Sequence, residues 1–129
     1  MIIRDEAERL DECLLGLEGL ADEICVVDTG SKDGSFEIAQ RRGCKTGRFD
    51  WCNDFSAARN ASLALCSGAW VFIVDADERI AREDLQRLRA LTDGPRHLCY
   101  RFVTRNYTSV SSTAEFTPSA MGEIGRAHV

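Results

Sequence analysis

Short apolar segments alternate with amphipathic segments along most of this chain, and that alternation limits the folds it can adopt. Five segments have the short, apolar character of strands, and four segments between them have helical spacing. The predicted strands cover residues 1–3, 23–28, 44–49, 70–75 and 97–104. Strands that alternate with helices in this way build a mostly parallel sheet with helices on both faces. The sequence therefore predicts an α/β domain whose ligands bind beyond the carboxyl ends of the strands.

The four predicted helices carry apolar residues at helical intervals. In the first, which Asp5 can cap, these residues recur at i, i+3, i+4 and i+7, as in a helix that covers a core. They are Leu10, Cys13, Leu14 and Leu17. The third helix follows its capping residue Asp54 and has Phe55 on its apolar side. The second and fourth helices cover residues 35–42 and 81–91.

Acidic residues follow two of the predicted strands at the point where each strand ends. Asp28 ends the second strand, and Asp75 and Asp77 stand at the end of the fourth, in the stretch WVFIVDADER. Because side chains alternate along an extended chain, Asp75 and Asp77 are predicted to point the same way. Two converging carboxylates repel each other unless a cation lies beside them, and a hard divalent ion with oxygen ligands fits this place. The pair could instead cap the next helix, with Glu78 in that role.

A glycine-bearing turn and a polar stretch of helix accompany these acids. The turn TGSKDGS, residues 29–35, leads into the second helix, where its backbone N–H groups could bind an anion, or it could be a turn alone. The segment WCNDFSAARNASL, residues 51–63, places Arg59 in the third helix, facing either the crevice or solvent. Together with the acids, these features favour a nucleotide site at the sheet edge.

The composition excludes several classes of protein. A chain of 129 residues is enough for one domain, and its formal net charge of −5 disfavours a nucleic acid as partner. No apolar run approaches 18 residues, so we expect no transmembrane segment, and the acidic start does not resemble a signal peptide. The six cysteines include no C-x-x-C pair and are expected to be reduced, buried thiols of a cytoplasmic protein. The cysteines on predicted apolar faces are Cys13, Cys25, Cys66 and Cys99.

Four sequence blocks together resemble glycosyltransferase family 2, whose members have the GT-A fold. The blocks are IIRDEAERLDECLLGL, DEICVVDTGSKDGSFEIA, FDWCNDFSAARNASLAL and GAWVFIVDADER, in the family's order. The motifs W-C-x-D-F-S-x-A-R-N and D-A-D-E are similar to those of a bacterial subgroup. The resemblance covers residues 1–107 and implies a Rossmann-like sheet that supplies only the nucleotide-binding half of a GT-A domain.

The resemblance implies roles for individual residues at the sheet edge. Asp28 resembles the acid that contacts the base or ribose of a sugar nucleotide, and Arg59 resembles an arginine that lies over the nucleotide. Asp75 resembles the first acid of the family's D-x-D, near the ribose, and Asp77 the second, which binds Mn²⁺ or Mg²⁺ against the diphosphate. The other implied nucleotide-binding residues are Ile3, Arg4 and Glu6 at the end of the first strand, and Gly30 and Ser31 in the turn.

The implied reaction is the metal-dependent transfer of a sugar from a nucleoside diphosphate to an acceptor, with inversion. A UDP-sugar is the expected donor, and the acceptor is a glycan, a lipid-linked glycan or a peptide. In this family the general base comes from a later segment, and no residue of this chain is assigned to it. Two other interpretations stay open. One is a sugar-nucleotide-binding module without transfer activity, and the other is a nucleotidyltransferase, which the acidic RDEAER after the first strand disfavours.

Both ends of the chain are expected to depart from a complete domain. The first strand is short and the acceptor half of the family's fold has no counterpart, so we expect a fragment that is itself inactive. Residues 108–122 are polar without periodicity and are predicted to form an irregular tail. The last seven residues, EIGRAHV (123–129), can be encoded by a sequence that resembles a sequencing adapter, and we expect them to be foreign to the protein. The alternative is a disordered natural terminus.

Overall fold

Strands and helices alternate in the computed structural model, which describes residues 1–94, 99–106 and 117–126. The elements are β1 (Ile2–Ile3), α1 (Ala7–Gly16), β2 (Cys25–Asp28), α2 (Ser35–Arg41), β3 (Lys45–Arg48), α3 (Phe55–Ala64), β4 (Trp70–Ile73), α4 (Arg82–Leu91), β5 (Tyr100–Asn106) and β6 (Thr117–Arg126). The predicted α/β architecture is therefore confirmed, with a helix after each of the first four strands. Across the described residues, no helix has the length and apolar character needed to cross a bilayer.

The first sheet is parallel and has the strand order β1–β2–β3. Ile3 of β1 pairs with Asp28 of β2, which in turn pairs with Arg48 of β3. All four residues of β2 are buried, as expected of a central strand flanked by helices, and this explains its continuous apolar sequence. Helices α1 and α2 pack on each other, and α3 packs against β1 and β2. The carboxyl ends of β1 and β2 consequently meet at one sheet edge.

The second sheet has the strand order β4–β6–β5, and both of its pairings are antiparallel. The expected parallel arrangement therefore holds for β1–β3, whereas β6 lies between β4 and β5 and runs in the opposite direction. An irregular tail is predicted over 108–122, but residues 117–122 belong to β6. Backbone hydrogen bonds to β5 form this strand without an apolar pattern, which is why the sequence gives no signal for it. Residues 108–116 lie outside the described residues.

The segment expected to be foreign contributes to this second sheet. Residues 123–126 of β6 pair with all four residues of β4. Main-chain N–H and C=O groups can complete such a ladder in almost any sequence without proline, so the pairing does not bear on the segment's origin. The foreign origin of 123–129 stays a prediction, and residues 127–129 lie outside the described part of the chain.

Helix α1 supplies side chains to two hydrophobic clusters, which form the core. The first cluster consists of Ile3, Leu10, Leu14, Val26, Ala39 and Ala76. The second consists of Cys13, Leu17, Leu20 and Val74. The stripe predicted on α1 is thereby confirmed, because two of its members enter the first cluster and the other two enter the second.

The cysteines differ in their exposure more than the sequence predicts. Cys13 and Cys25 are buried, and burial raises the pKa of Cys13 to about 11 and that of Cys25 to about 12. Cys66 is half-buried, and Cys99 is exposed. The prediction of burial is wrong for Cys99, because β5 begins only at Tyr100 and Cys99 stands before it. All six cysteines are free thiols.

Side chains fix the starts of the two helices that border the sheet edge. The Asp54 carboxylate accepts hydrogen bonds from the N–H groups of Ser56 (2.8 Å) and Ala57 (3.1 Å), which confirms it as the cap of α3. Asp5 does not cap α1, because its backbone is left-handed, with φ of 54°. The N–H of Ala7 at the start of α1 instead donates to Asp33 (2.8 Å), in the turn before α2. That bond holds the two loops together at the sheet edge.

Candidate functional site

A cleft of about 420 Å³ opens where β1 and β4 end. Six of the nine residues predicted for the site lie on its lining, namely Ile3, Arg4, Glu6, Arg59, Asp75 and Asp77. The lining also contains Ile2, Thr29, Trp51, Phe55 and Ala76. Asp28, Gly30 and Ser31 do not belong to it. On the β1 side, the position agrees with the rule that ligands of parallel sheets bind beyond the carboxyl ends of strands, whereas β4 belongs to the antiparallel sheet.

The two aspartates of the D-A-D-E segment are brought together by a turn. Strand β4 ends at Ile73, before Asp75, and the N–H of Glu78 donates to the Asp75 carbonyl (3.0 Å). Asp75 and Asp77 are both exposed on the cleft, whereas Ala76 between them is buried in the first core cluster. Both aspartates line the same cleft, where the turn, and not strand alternation, places them, and the prediction that their carboxylates point the same way stays a prediction.

Hydrogen bonds from Glu78 and Arg79 hold this acidic turn in position. The Glu78 carboxylate accepts the N–H of Asp75 (2.8 Å), and partial burial raises the pKa of Glu78. The Arg79 guanidinium donates to the carbonyl of Ala76 (3.1 Å) within the turn. It also donates to the Arg9 carbonyl (3.2 Å) and to the Glu12 carboxylate (2.9 Å) on α1. The turn is therefore anchored to the helix that organises the core.

Arg59 brings positive charge into the cleft from the middle of α3. Its Nη2 lies 3.1 Å from Asp75 Oδ1, and 26% of its side chain is exposed. Its Nη1 is buried and, within the described part of the chain, has no hydrogen-bond acceptor. A buried donor without a partner costs free energy. Of the two placements left open by the sequence, the structure has Arg59 at the crevice.

Asp28 shapes the turn after β2 instead of lining the cleft. It is 4% exposed, and its carboxylate accepts the N–H groups of Gly30 (3.3 Å) and Ser31 (3.1 Å). Gly30 has φ of 106°, a conformation that favours glycine. The Ser31 hydroxyl in turn accepts the N–H of Asp5 (3.0 Å). The polar groups of this turn are therefore hydrogen-bonded to one another. That Asp28, Gly30 and Ser31 contact a nucleotide stays a prediction.

Two aromatic residues of the cleft received no role from the sequence. Trp51 and Phe55 make an edge-to-face contact, with ring centroids 4.7 Å apart and ring planes at 72°. Phe55 is predicted on the apolar side of α3, yet it is 71% exposed, because the helix begins at this residue and its ring lies at the cleft. The sequence does contain a signal that could have indicated this pair. Two aromatic residues flank the capping residue Asp54 in an otherwise polar stretch.

A larger cavity of about 630 Å³ lies beside β4, bordered by the start of β2, by α3 and by the end of α4. Its wall includes Leu17, Leu20 and Val74, which belong to the second core cluster, and Leu88 of α4. Of the residues predicted for the site, only Arg59 borders it. This cavity therefore belongs to the packing of the hydrophobic layers, and the smaller acidic cleft is the candidate site.

The acidic cleft contains one carboxylate that could serve as a ligand of a divalent cation. Asp75 is paired with Arg59, whereas the Asp77 carboxylate has no hydrogen-bond or ion-pair partner among the described residues. Within that same part of the chain, no group of three His, Cys, Asp or Glu side chains is arranged to hold a metal. Mg²⁺ sites commonly use one or two carboxylates and complete their shell with water and substrate phosphates. One free carboxylate beside a second acid matches that arrangement.

Comparison with known proteins finds a family whose model matches this chain. The model of the family described as glycosyl transferase family 2 matches residues 1–118, which is most of the chain. A TPR repeat-containing protein of Synechococcus elongatus is 44% identical over 100 residues. An uncharacterized glycosyltransferase of Rickettsia bellii is 27% identical over 104 residues, and the SPbeta prophage-derived glycosyltransferase SunS of Bacillus subtilis is 29% identical over 89.

These relatives are much longer than the matched region. The alignments cover 78%, 78% and 65% of this chain, but only 25%, 35% and 20% of the Synechococcus, Rickettsia and Bacillus proteins. The chain therefore spans about a third or less of the length of these curated relatives.

Proposed function

Because the chain belongs to glycosyl transferase family 2, we propose that its acidic cleft binds a nucleoside-diphosphate sugar. In the whole protein, this binding serves the transfer of the sugar to an acceptor. The observation that carries the proposal is the convergence of Arg59, Asp75 and Asp77 on one cleft beyond the carboxyl ends of β1 and β4.

Arg59 is the group that contacts the diphosphate or the ribose of the donor. Its guanidinium can donate a hydrogen bond to a phosphate oxygen because the side chain is partly exposed, and its positive charge favours an anion in a cleft that also holds two acids. Its bond to Asp75 orients the guanidinium while that carboxylate stays available to ribose hydroxyl groups. The donor is proposed to be a UDP-sugar.

Asp77, with Asp75 beside it, is the proposed ligand of Mn²⁺ or Mg²⁺. When bound, the ion would neutralise the negative charge that the diphosphate gains as the glycosidic bond breaks. Glu78 and Arg79 keep the acidic turn in the conformation that exposes both carboxylates to the cleft. Asp77 can therefore hold the ion without a rearrangement of the backbone.

The transfer is proposed to invert the anomeric carbon, with the acceptor attacking on the face opposite the diphosphate. The acceptor must lose a proton as it attacks, and the general base is proposed to lie outside residues 1–107. A glycan, a lipid-linked glycan or a peptide is the proposed acceptor. The reduced thiols favour a cytoplasmic location, since disulfides are rare in that compartment.

A second candidate function is binding of a sugar nucleotide without transfer by this chain. The observation that favours it is coverage, because the alignment with the Synechococcus relative spans only 25% of that protein. Transfer activity in the chain as given would exclude this alternative.

Titration of UDP with and without Mn²⁺ tests the proposed site. We expect wild-type binding to depend on the metal, and Asp77→Asn to weaken binding in its presence by at least about tenfold, as expected when a carboxylate ligand is lost. Isothermal titration calorimetry measures both effects.

Asp93→Asn is the matched control, because it removes an exposed acid from the edge of the larger cavity. This variant should bind UDP as the wild type does. Equal binding by Asp77→Asn and the wild type, or loss of binding in Asp93→Asn alone, would contradict the assignment of the acidic cleft.

A further inference from the structure

We propose that Phe55 and Trp51 form an aromatic wall in which the nucleobase of the donor stacks on the exposed Phe55 ring, while Trp51 meets that ring edge to face. This inference rests on the proposed function and deepens it, because it assigns the part of the nucleotide that the charged residues do not explain. Both rings line the cleft that holds Arg59, Asp75 and Asp77.

The exposure of Phe55 is the first observation in favour of this wall. An aromatic side chain that is 71% exposed at the first residue of a helix leaves most of its apolar surface in water. Transfer of such surface out of water is favourable, and a flat ligand placed on the ring would achieve it. An exposed aromatic side chain that lines a cleft indicates a ligand site more strongly than one that lies elsewhere on the surface.

The segment that carries the two rings is fixed by local bonds. The Trp51 indole N–H donates to the Asn53 side-chain oxygen (3.0 Å), and Asn53 adopts a left-handed backbone with φ of 59°. Asparagine tolerates this conformation better than most residues. The Asp54 cap then sets the first turn of α3 and with it the position of Phe55. The wall is therefore held in place before a ligand arrives.

The chemistry of the wall suits a base better than the other parts of the donor. A ring face offers no hydrogen bond to the diphosphate, which is the anionic part of the donor. The base is the planar unsaturated part, and stacking of a base on an aromatic ring is favourable for every base. Asp28 contributes little to the cleft because its carboxylate is bonded to its own turn. Affinity for the base is therefore expected to come from the rings.

Two probes separate the base from the phosphates: UDP, and inorganic pyrophosphate, each with Mn²⁺. We expect Phe55→Leu to weaken UDP binding by about 5- to 150-fold, the range found for loss of one stacked ring, and Trp51→Leu to weaken it less, because the Trp51 ring meets Phe55 edge to face. Pyrophosphate binding should change less than about twofold, because pyrophosphate has no base to stack. Phe55→Tyr keeps the ring and should bind UDP like the wild type.

Phe36→Leu is the matched control, since Phe36 contacts Arg48 and does not line the cleft. It should leave both affinities unchanged. Unaltered UDP binding in Phe55→Leu and Trp51→Leu would overturn the wall while leaving the proposed function intact. Equal losses for UDP and pyrophosphate would overturn it as well, because they would mean that the cleft itself is disturbed. Absence of UDP binding by the wild type would instead remove the proposed function, and the wall with it.

Discussion

At the scale of single residues, Arg79 has the most connections around the candidate site. It bonds to the Ala76 and Glu78 carbonyls of the acidic turn and to the Arg9 carbonyl and Glu12 carboxylate of α1. A planar guanidinium with five donors can serve these acceptors at once, whereas an ammonium group is a compact point charge. Arg79 is therefore a positioning residue that acts on Asp75 and Asp77 through the backbone between them.

Replacement of Arg79 should weaken metal-dependent binding more than it weakens the fold. Loss of a group that orients metal ligands typically lowers metal affinity by 10- to 100-fold, so we expect about a tenfold loss in Arg79→Met. Because the side chain is partly exposed, the free energy of unfolding should fall by only roughly 1 kcal/mol. Mn²⁺-dependent UDP titration and urea unfolding measure the two quantities.

Arg87→Met provides the comparison for this prediction. Arg87 is 82% exposed on α4 and pairs with Asp84 three residues earlier, away from the acidic turn. Arg87→Met should change neither the Mn²⁺-dependent affinity for UDP nor the free energy of unfolding by a measurable amount. Arg79→Lys should recover only part of the UDP affinity that Arg79→Met loses. A full recovery by lysine would show that the charge alone, and not the fork of donors, holds the turn.

At the scale of elements, one carboxylate joins the start of β2 to the connection between α3 and β4. Glu23 accepts the Ser67 hydroxyl (2.8 Å) and the Gly68 N–H (2.9 Å), and it also accepts the Ser67 N–H. These donors, the Ser67 N–H first among them, lower the pKa of Glu23 from 4.5 to about 2. These bonds join the residues before β2 to those before β4, so they help to orient β4 relative to β2.

Stability should consequently depend on pH through Glu23. Since its folded pKa lies below its ordinary value, the stabilisation is fully present above about pH 4.5 and is lost as the pH falls towards 2. At pH 7, Glu23→Gln should lower the free energy of unfolding by roughly 1 kcal/mol, a value reduced for partial exposure. Urea unfolding midpoints between pH 2.5 and 7 should converge for the wild type and the variant at the acidic end.

The same urea unfolding measurements on Glu8→Gln control for the change in net charge, because this variant removes one acid from the first turn of α1. If the difference between wild type and Glu23→Gln stays constant over this pH range, the carboxylate does not form the tether described.

Elements defined by local patterns were predictable from the sequence, and those that depend on distant partners were not. The stripe on α1 and the Asp54 cap follow from spacing within one helix, and both are present. Strand β6 depends on pairing with β4 and β5, for which its own sequence carries no signal. In the site, acids after strands indicated Asp75 and Asp77, whereas the exposure of Phe55 depends on where α3 begins relative to the cleft.

At the scale of the whole molecule, α1 connects the two halves of the core. Its residues Leu10 and Leu14 pack into the cluster that contains β1 and β2, while Cys13 and Leu17 pack with Val74 after β4. The acidic turn belongs to the same arrangement, because Ala76 is a member of the first cluster and Arg79 bonds to α1. The geometry of the cleft is therefore linked to the packing of this helix.

Two neighbouring leucines on α1 test that link. Leu14 is 2% exposed and Leu15 is 49% exposed, so Leu14→Ala and Leu15→Ala remove the same atoms from opposite environments. We expect Leu14→Ala to lower the free energy of unfolding by about 2–5 kcal/mol, through lost burial and a residual cavity, and Leu15→Ala to change it by less than about 0.5 kcal/mol. Urea unfolding measures both, and UDP titration of Leu14→Ala at low temperature should reveal weaker Mn²⁺-dependent binding while the protein is still folded. Equal destabilisation by the two variants, or full UDP affinity in a clearly destabilised Leu14→Ala, would mean that α1 does not transmit the packing of the core to the acidic turn.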